Sequence, residues 1–324
     1  MAELLNVKKS SPFNLKRIIF LLIIVFFVTF NFWGPAYAVS VLTLVMLYMS
    51  MGQMWNLLSG YTGLTSLGQQ AFIGIGGFSL AVCCQKFGLP IFVGFIAAGA
   101  FAIGFSLLIS IPVFKMNGVY FTIGTWIIAE AMYVFFVNWK FVNYGIGFTI
   151  TSAFKLPTWA IPLMATIMGL GSIILVQFIL RSRLGLAMMA VRDNTSAAEV
   201  RGIQIFKTKL IVFMIASMWV ALTGVVIYLN QAYIVPSAAF GIDWTIAMTF
   251  IVIIGGSGTI EGPIIGAIVY VILKQYLYNF PGLSNIFLGI IAIIIILVAP
   301  GGIMGFIKKK WNIDLFGIRR KMPE

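Results

Sequence analysis

The 324-residue chain contains no histidine, two cysteines and eight acidic residues, and each scarcity removes a class of chemistry. Without histidine there is no Ser-His-Asp constellation and no thiol-imidazole pair, and the scattered acids form no metal-type cluster. The cysteines, Cys83 and Cys84, are adjacent in an apolar run, where neighbouring helical residues point in different directions, so neither a bridge nor a metal site is expected. No G-x-x-x-x-G-K-[ST] loop occurs, so the chain lacks the phosphate cradle of a P-loop nucleotide site. Charged residues of both signs make up only 9% of the sequence.

What is present instead is apolar: 61% hydrophobic residues and a mean hydropathy of +1.07. The hydrophobic residues recur in runs of roughly 15 to 25, the length a helix needs to cross a hydrocarbon core of ~30 Å. Continuous runs rich in Leu, Ile, Phe and Gly are not the alternating pattern of barrel strands, and only helices and closed barrels satisfy their backbone groups in lipid. The expected fold is therefore all-α, a polytopic helical membrane bundle. Ten apolar segments are placed at 18–33, 37–58, 71–85, 90–114, 118–139, 158–180, 209–232, 244–256, 263–278 and 284–298.

The net charge of +13 does not point to nucleic acid, because the basic residues lie at the ends of apolar runs, where they set orientation. With a cytoplasmic amino terminus, 17 of the 21 basic residues fall on the inner side, leaving Lys86, Lys140, Lys155 and Lys274 outside. Both termini are then cytoplasmic in a bacterial inner membrane. The expected domains are a basic amino terminus (1–17), one transmembrane domain (18–305) with an internal cytoplasmic loop at 181–209, and a basic tail (306–324). Lys16-Arg17, the run Ile18 to Phe32 and Ala36-Tyr37-Ala38 imitate a signal peptide with its cleavage site; a retained helix is the preferred reading.

The loop from Arg181 to Lys209 is a polar island holding six basic residues and two of the eight acids. Leu184, Ala187, Met188 and Val191 recur at helical spacing, Thr195 or Ser196 is placed to cap a following turn, and Gly202 to end it. A short amphipathic helix of this kind can dock on a partner; the alternative is a solvated loop anchored by Arg and Lys. Asp193 and Glu199 are placed to pair with Arg192 or Arg201, at exposed sites where such pairs contribute under ~1 kcal/mol.

Two Gly-rich breaks, Ser59 to Gln70 and Gly255 to Pro263, interrupt the pattern in corresponding places of the two halves. Unwound backbone at membrane depth is tolerated only beside a cavity or buried protein, so such breaks point to a substrate path, the alternative being two tight cytoplasmic turns. Trp244 to Ile254 is too short for a full crossing, which suits a half-helix sunk between neighbours. Candidate path residues are Thr65, Gln69, Gln70, Glu130, Gly255, Gly256 and Gly258. Glu130 stands mid-run, where an ionisable group costs ~2.5 kcal/mol or more and is expected to face protein or a wet cavity. Asp243 is expected to cap the short helix or to contact an external partner. Glu261 is read as a turn residue, and the many Phe, Met and Trp residues as packing or lipid-facing surface.

Four stretches resemble the permease subunits of ATP-driven importers for branched-chain amino acids, specifically the M-type subunit of the Liv system. The island's Arg192-Asp193-Asn194, Ala197-Ala198-Glu199 and Gly202 are similar to that family's RDN-x-x-AAE-x-x-GI pattern. Gly255-Gly256-x-Gly258-x-x-x-Gly262-Pro263-x-x-Gly266-Ala267 resembles its GG-x-G-x-x-x-GP-x-x-GA signature. The first break resembles G-Q-L-S-L-G-H-A-A-F with Gln69 in place of His, and Pro300 to Gly305 resembles P-x-G-L-x-G. The resemblance runs from about residue 40 to 305.

The resemblance implies that Arg192, Asp193, Asn194, Ala197, Ala198, Glu199 and Gly202 couple the chain to an ATPase. It further implies two cytoplasmic ATPase subunits, a second related permease of the H type and an extracytoplasmic substrate-binding protein. ATP would be used by those partner subunits, with no cofactor or metal bound by this chain and no enzymatic activity of its own. The cargo expected is a small amino acid, with urea or short amides as the alternative within the same superfamily. An ion-coupled carrier or channel using Glu130 and Asp243 is the rival class.

Overall fold

The computed structural model describes residues 15–277, 281–298 and 301–311. Among the described residues the chain is almost wholly helical: α1 (Leu15–Trp33), α2 (Ala36–Thr62), α3 (Gln70–Ala81), α4 (Ile91–Val113), α5 (Val119–Asn138), α6 (Ala160–Arg181), α7 (Arg183–Asp193), α8 (Thr195–Val200), α9 (Ile205–Gln231), α10 (Pro236–Ala239), α11 (Asp243–Gly255), α12 (Glu261–Tyr276), α13 (Pro281–Val298) and α14 (Gly302–Trp311). Each of the ten apolar segments falls on one of these helices. Among the described residues six spans are long and apolar enough to cross a membrane: α2, α4, α5, α6, α9 and the stretch Pro236–Gly255 that joins α10 to α11. The protein is thus a multi-pass helical membrane bundle. Lys8, Lys9, Pro300 and the tail beyond Trp311, including Arg319, Arg320 and Lys321, lie outside the described residues.

The core forms where α2 and α9 cross between α3, α6, α11 and α12. Apolar burial cannot drive helices together in lipid, so close packing of small residues does it instead. A Cβ on Gly76 of α3 would stand 2.0 Å from the carbonyl oxygen of Ala221 on α9, and one on Gly224 of α9 would stand 2.6 Å from that of Ile73 on α3. The same device joins α11 to α12, where a Cβ on Gly266 would stand 1.9 Å from the Ile251 carbonyl. Helix α1 packs on α6, with Asn31 Nδ2 donating to Thr166 Oγ1 at 3.0 Å.

One end of the bundle carries α7 and α8, the polar island. The opposite end carries a two-residue antiparallel ladder, β1 (Phe148–Thr149) with β2 (Tyr233–Ile234), which ties the α5–α6 connection to the end of α9. Gly147, at φ 90°, leads into that ladder where a Cβ would lie 2.2 Å from the Ile234 carbonyl. The short helix foreseen near Trp244 is α11, 13 residues packed against α2 and α12.

Candidate functional site

At the island end three separate stretches of sequence meet. Helix α2 ends at Gly63, whose left-handed φ of 76° turns the chain while Leu64 N–H returns to the Leu58 carbonyl at 2.9 Å. About two turns earlier, Asn56 reaches the second break: its Nδ2 donates to Thr259 O at 2.8 Å, and its Oδ1 accepts from Gly258 N–H at 2.8 Å. Gln53, three residues before Asn56, donates from Nε2 to Ile260 O at 2.7 Å. Within the second break Thr259 Oγ1 donates to Gly256 O at 2.8 Å and accepts from Gly262 N–H at 3.0 Å. This break is a tight, cross-bonded turn, made possible by Gly256 at φ 119° and Gly258 at φ 71°.

Arg192 of α7 closes the junction. Its Nη1 donates to Gly60 O at 2.8 Å, while Nε and Nη2 hold Asp193 Oδ1 at 2.9 and 2.8 Å. A Cβ on Gly60 would lie 2.2 Å from Asn56 Oδ1 and 2.6 Å from Gly258 N, so the two breaks touch backbone to backbone. Arg192, Gly60 and Gly258 therefore form one contact between the island, α2 and the α11–α12 turn. Helix α14 packs on the same turn, and Glu261 at the head of α12 is 4% exposed with its Oε2 4.0 Å from Lys308 Nζ of α14.

The first break behaves differently. From Gly63 the chain runs back alongside α2: Trp55 Nε1 donates to Ser66 O at 2.9 Å, seven residues up from the helix end, a climb of ~10 Å at 1.5 Å per residue. Helix α5 lines the other side, where Thr122 Oγ1 donates to Thr65 O at 2.8 Å and Thr125 Oγ1 accepts from Leu67 N–H at 3.1 Å. Gly63 and Thr65 are exposed, whereas Leu64, Ser66, Gly68 and Gln69 are buried, so non-helical backbone stands inside the bundle where protein covers it. At its head Gln69 is fully buried with neither amide atom bonded within the chain. Gln70 accepts from Thr245 Oγ1 of α11 through Oε1, and its Nε2 has no partner in the chain.

The island folds as the two helices α7 and α8. Met188 and Val191 bury the foreseen apolar face, while Val200 at the tip of α8 is 90% exposed. The cap differs from expectation. Asn194, not Thr195 or Ser196, sits in the extended cap position (φ −158°) and accepts from Ala197 N–H at 3.0 Å through Oδ1, a role its short amide performs as well as a hydroxyl. Gly202, at φ 80°, ends the turn with its N–H on Glu199 O at 2.8 Å. Ala198 is buried against the bundle, whereas Ala197, Glu199 and Gly202 are exposed. Glu199 and Gly202 border a shallow cavity of about 560 Å³ shared with Phe114, Phe206 and Lys209.

Two expected residues stand apart from this junction. Glu130 was expected to face protein or a wet cavity; in the chain alone it lies exposed on the outer face of α5 with Ile123, Ile127 and Val134. Asp243 was expected at the cap of α11; the cap position is Ile242, and Asp243 is the first helical residue, where a carboxylate meets the positive end of the helix. It lines a cavity at the end opposite the island. Gly255 and Gly256 lie in the α11–α12 turn, where a Cβ on Gly255 would stand 1.9 Å from Gly262 O. The polar residues Gln53 and Asn56 were missed, although two amides three residues apart in an apolar run already mark one helix face.

Residues 37–299 match the family described as "Branched-chain amino acid transport system / permease component". The chain is 24% identical over 322 residues to the high-affinity branched-chain amino acid transport system permease protein LivM of Escherichia coli, covering 90% of this chain and 76% of that protein. It is 27% identical over 140 residues to the probable branched-chain amino acid transport permease protein LivM of Methanocaldococcus jannaschii, covering 39% and 41% of the two chains. The ribose import permease protein RbsC of Escherichia coli is 27% identical over 143 residues, covering 43% and 44%. No solved structure matches significantly.

Proposed function

The chain belongs to the branched-chain amino acid transport permease family, and on that premise we propose that it is the membrane-spanning subunit of an ATP-driven importer for branched-chain amino acids. The observation that carries this reading is the island. A lipid-embedded carrier has no use for a protruding pair of helices tipped by an exposed valine, Val200, and rooted by Arg192 on the backbone of α2. An ATPase subunit docked there would move α7, and Arg192 would pass that movement to Gly60 and to the α11–α12 turn.

In this reading Arg192, Asp193, Asn194, Ala197, Ala198, Glu199 and Gly202 are the coupling residues on the cytoplasmic side of a bacterial inner membrane. Two ATPase subunits hydrolyse ATP, and this chain binds neither nucleotide nor metal. Thr65, Gln69 and Gln70 line the path with Gly255, Gly256 and Gly258 as its hinge. Neutral amides suit cargo that must be released, since strong binding would slow transit. The exposure of Glu130 on a bilayer-facing stripe would cost ~2.5 kcal/mol or more in lipid. That cost supports placing α5 against a second, related permease subunit, with Glu130 facing the path between them. A substrate-binding protein delivers the amino acid to the opposite side.

Competitive uptake tests the reading. Cells expressing the whole system should take up labelled leucine, lose the label to isoleucine and valine but not to urea or short amides, and continue when the proton gradient is collapsed while ATP persists. Competition by urea alone, or uptake abolished by gradient collapse alone, would overturn it.

A further inference from the structure

At the end opposite the island a cavity of about 680 Å³ opens between α2, α9, the α10–α11 segment and α12. Its volume falls in the ~300–1,000 Å³ range of small-molecule sites. Its deep walls are apolar, with Leu47, Met51, Ile227 and Val271 each 4% exposed or less. Its rim is charged with both signs: Lys274 from the last turn of α12 and Asp243 from the first turn of α11.

Lys274 does not behave as an interfacial anchor. A lysine anchoring a helix turns its ammonium out to water. Lys274 is exposed as a residue, yet its Nζ bends back to donate to the hydroxyl of buried Tyr48 at 2.6 Å and lies 5.1 Å and 5.8 Å from the Tyr48 and Tyr270 ring centroids. Tyr48 is itself boxed by Tyr270 at 4.8 Å and Trp244 at 6.1 Å between centroids. At this end of the bundle Asp243 is the one acidic residue among the described residues, and it faces the same cavity as that lysine. Behind the lining residue Trp244, Thr245 is buried and donates to the buried amide of Gln70 in the first break.

We propose that this cavity is an entry site for a zwitterionic amino acid with an apolar side chain, its carboxylate on Lys274, its ammonium on Asp243 and its side chain among Leu47, Met51, Ile227 and Val271. The proposal rests on the importer reading and deepens it, placing a substrate site within one permease subunit.

The test is saturation-transfer NMR on the purified whole importer, using leucine, 4-methylpentanoate, which lacks the ammonium, and 3-methylbutylamine, which lacks the carboxylate. Lys274→Met should weaken leucine and 4-methylpentanoate by about tenfold, the scale of one charge-assisted hydrogen bond, and leave 3-methylbutylamine unchanged. Asp243→Asn should do the reverse, weakening leucine and 3-methylbutylamine and sparing 4-methylpentanoate. Lys274→Arg, which keeps the charge, should retain leucine. Equal losses for all three ligands would reduce both residues to a structural role and overturn the proposal. Leucine signals abolished by phosphatidylethanolamine would assign the cavity to a lipid headgroup and also overturn it. Leucine uptake by the unaltered importer, scored separately, decides the transport reading, so wild-type uptake without any leucine signal refutes the entry site alone.

Discussion

The two glycine-rich breaks look alike in sequence and are built for opposite purposes. The second, between α11 and α12, is cross-bonded: Gln53 Nε2, Asn56 and Thr259 bond its backbone, with Gln53 Oε1 left unpartnered in the chain, and Gly60 seats against it. The first climbs ~10 Å back between α2 and α5 and delivers Gln69 to the interior with its amide unbonded in the chain. Glycine content alone does not distinguish a latch from a lining. Polar satisfaction does, because a buried amide without a partner costs ~1–3 kcal/mol and persists where water or cargo uses it.

The largest expected effect is on the latch. Gly255→Val places a side chain where even a Cβ would lie 1.9 Å from Gly262 O, so α11 and α12 must separate at a cost of ~3 kcal/mol or more. Membrane-extracted yield and thermal inactivation should both collapse; wild-type values would show that the turn is not closely packed. Next comes Arg192→Ala, which cuts the link from the island to Gly60. Uptake should fall about tenfold or more at unchanged membrane yield, with ATP hydrolysis by the assembled importer retained.

The paired variants Gln53→Leu and Gln69→Leu sharpen the comparison most directly. Gln53 bridges to Ile260, so its loss should lower the melting temperature by an amount equivalent to ~1–2 kcal/mol. The Gln69 side chain bonds nothing in the chain, so its replacement should leave the melting temperature unchanged or raised while uptake drops. Equal melting shifts for both would erase the distinction between latch and lining. The smallest effect is Val200→Ser at the island tip, which should weaken ATPase association by ~1 kcal/mol without altering the permease fold, as read by co-purification.

Much of the fold was legible because lipid imposes a simple rule on sequence. Each of the ten apolar runs falls on a helix, including the short one at Trp244, and the apolar spacing of Met188 and Val191 gave the buried face of α7. Legibility fails where an answer depends on which distant segments touch. Nothing in the spacing of Arg192 says that it will reach Gly60, 132 residues away. Local choices are degenerate too: Asn194, Thr195 and Ser196 can all cap, and backbone geometry selects Asn194. Glu261 looked like a turn acid because its partner Lys308 stands on α14, a helix more than 40 residues further on. Glu130 was expected to face protein or a wet cavity because its cost in lipid is legible in the sequence, while its place on the outer face of α5 is not.

The most direct measurement of the coupling account is simultaneous ATP hydrolysis and leucine uptake in proteoliposomes holding the complete importer with Glu199→Lys, a charge reversal on the exposed face of α8. The expected result is a correctly inserted complex that hydrolyses ATP but neither responds to the loaded binding protein nor accumulates leucine. Substrate-stimulated hydrolysis and uptake equal to those of the unaltered importer would contradict it.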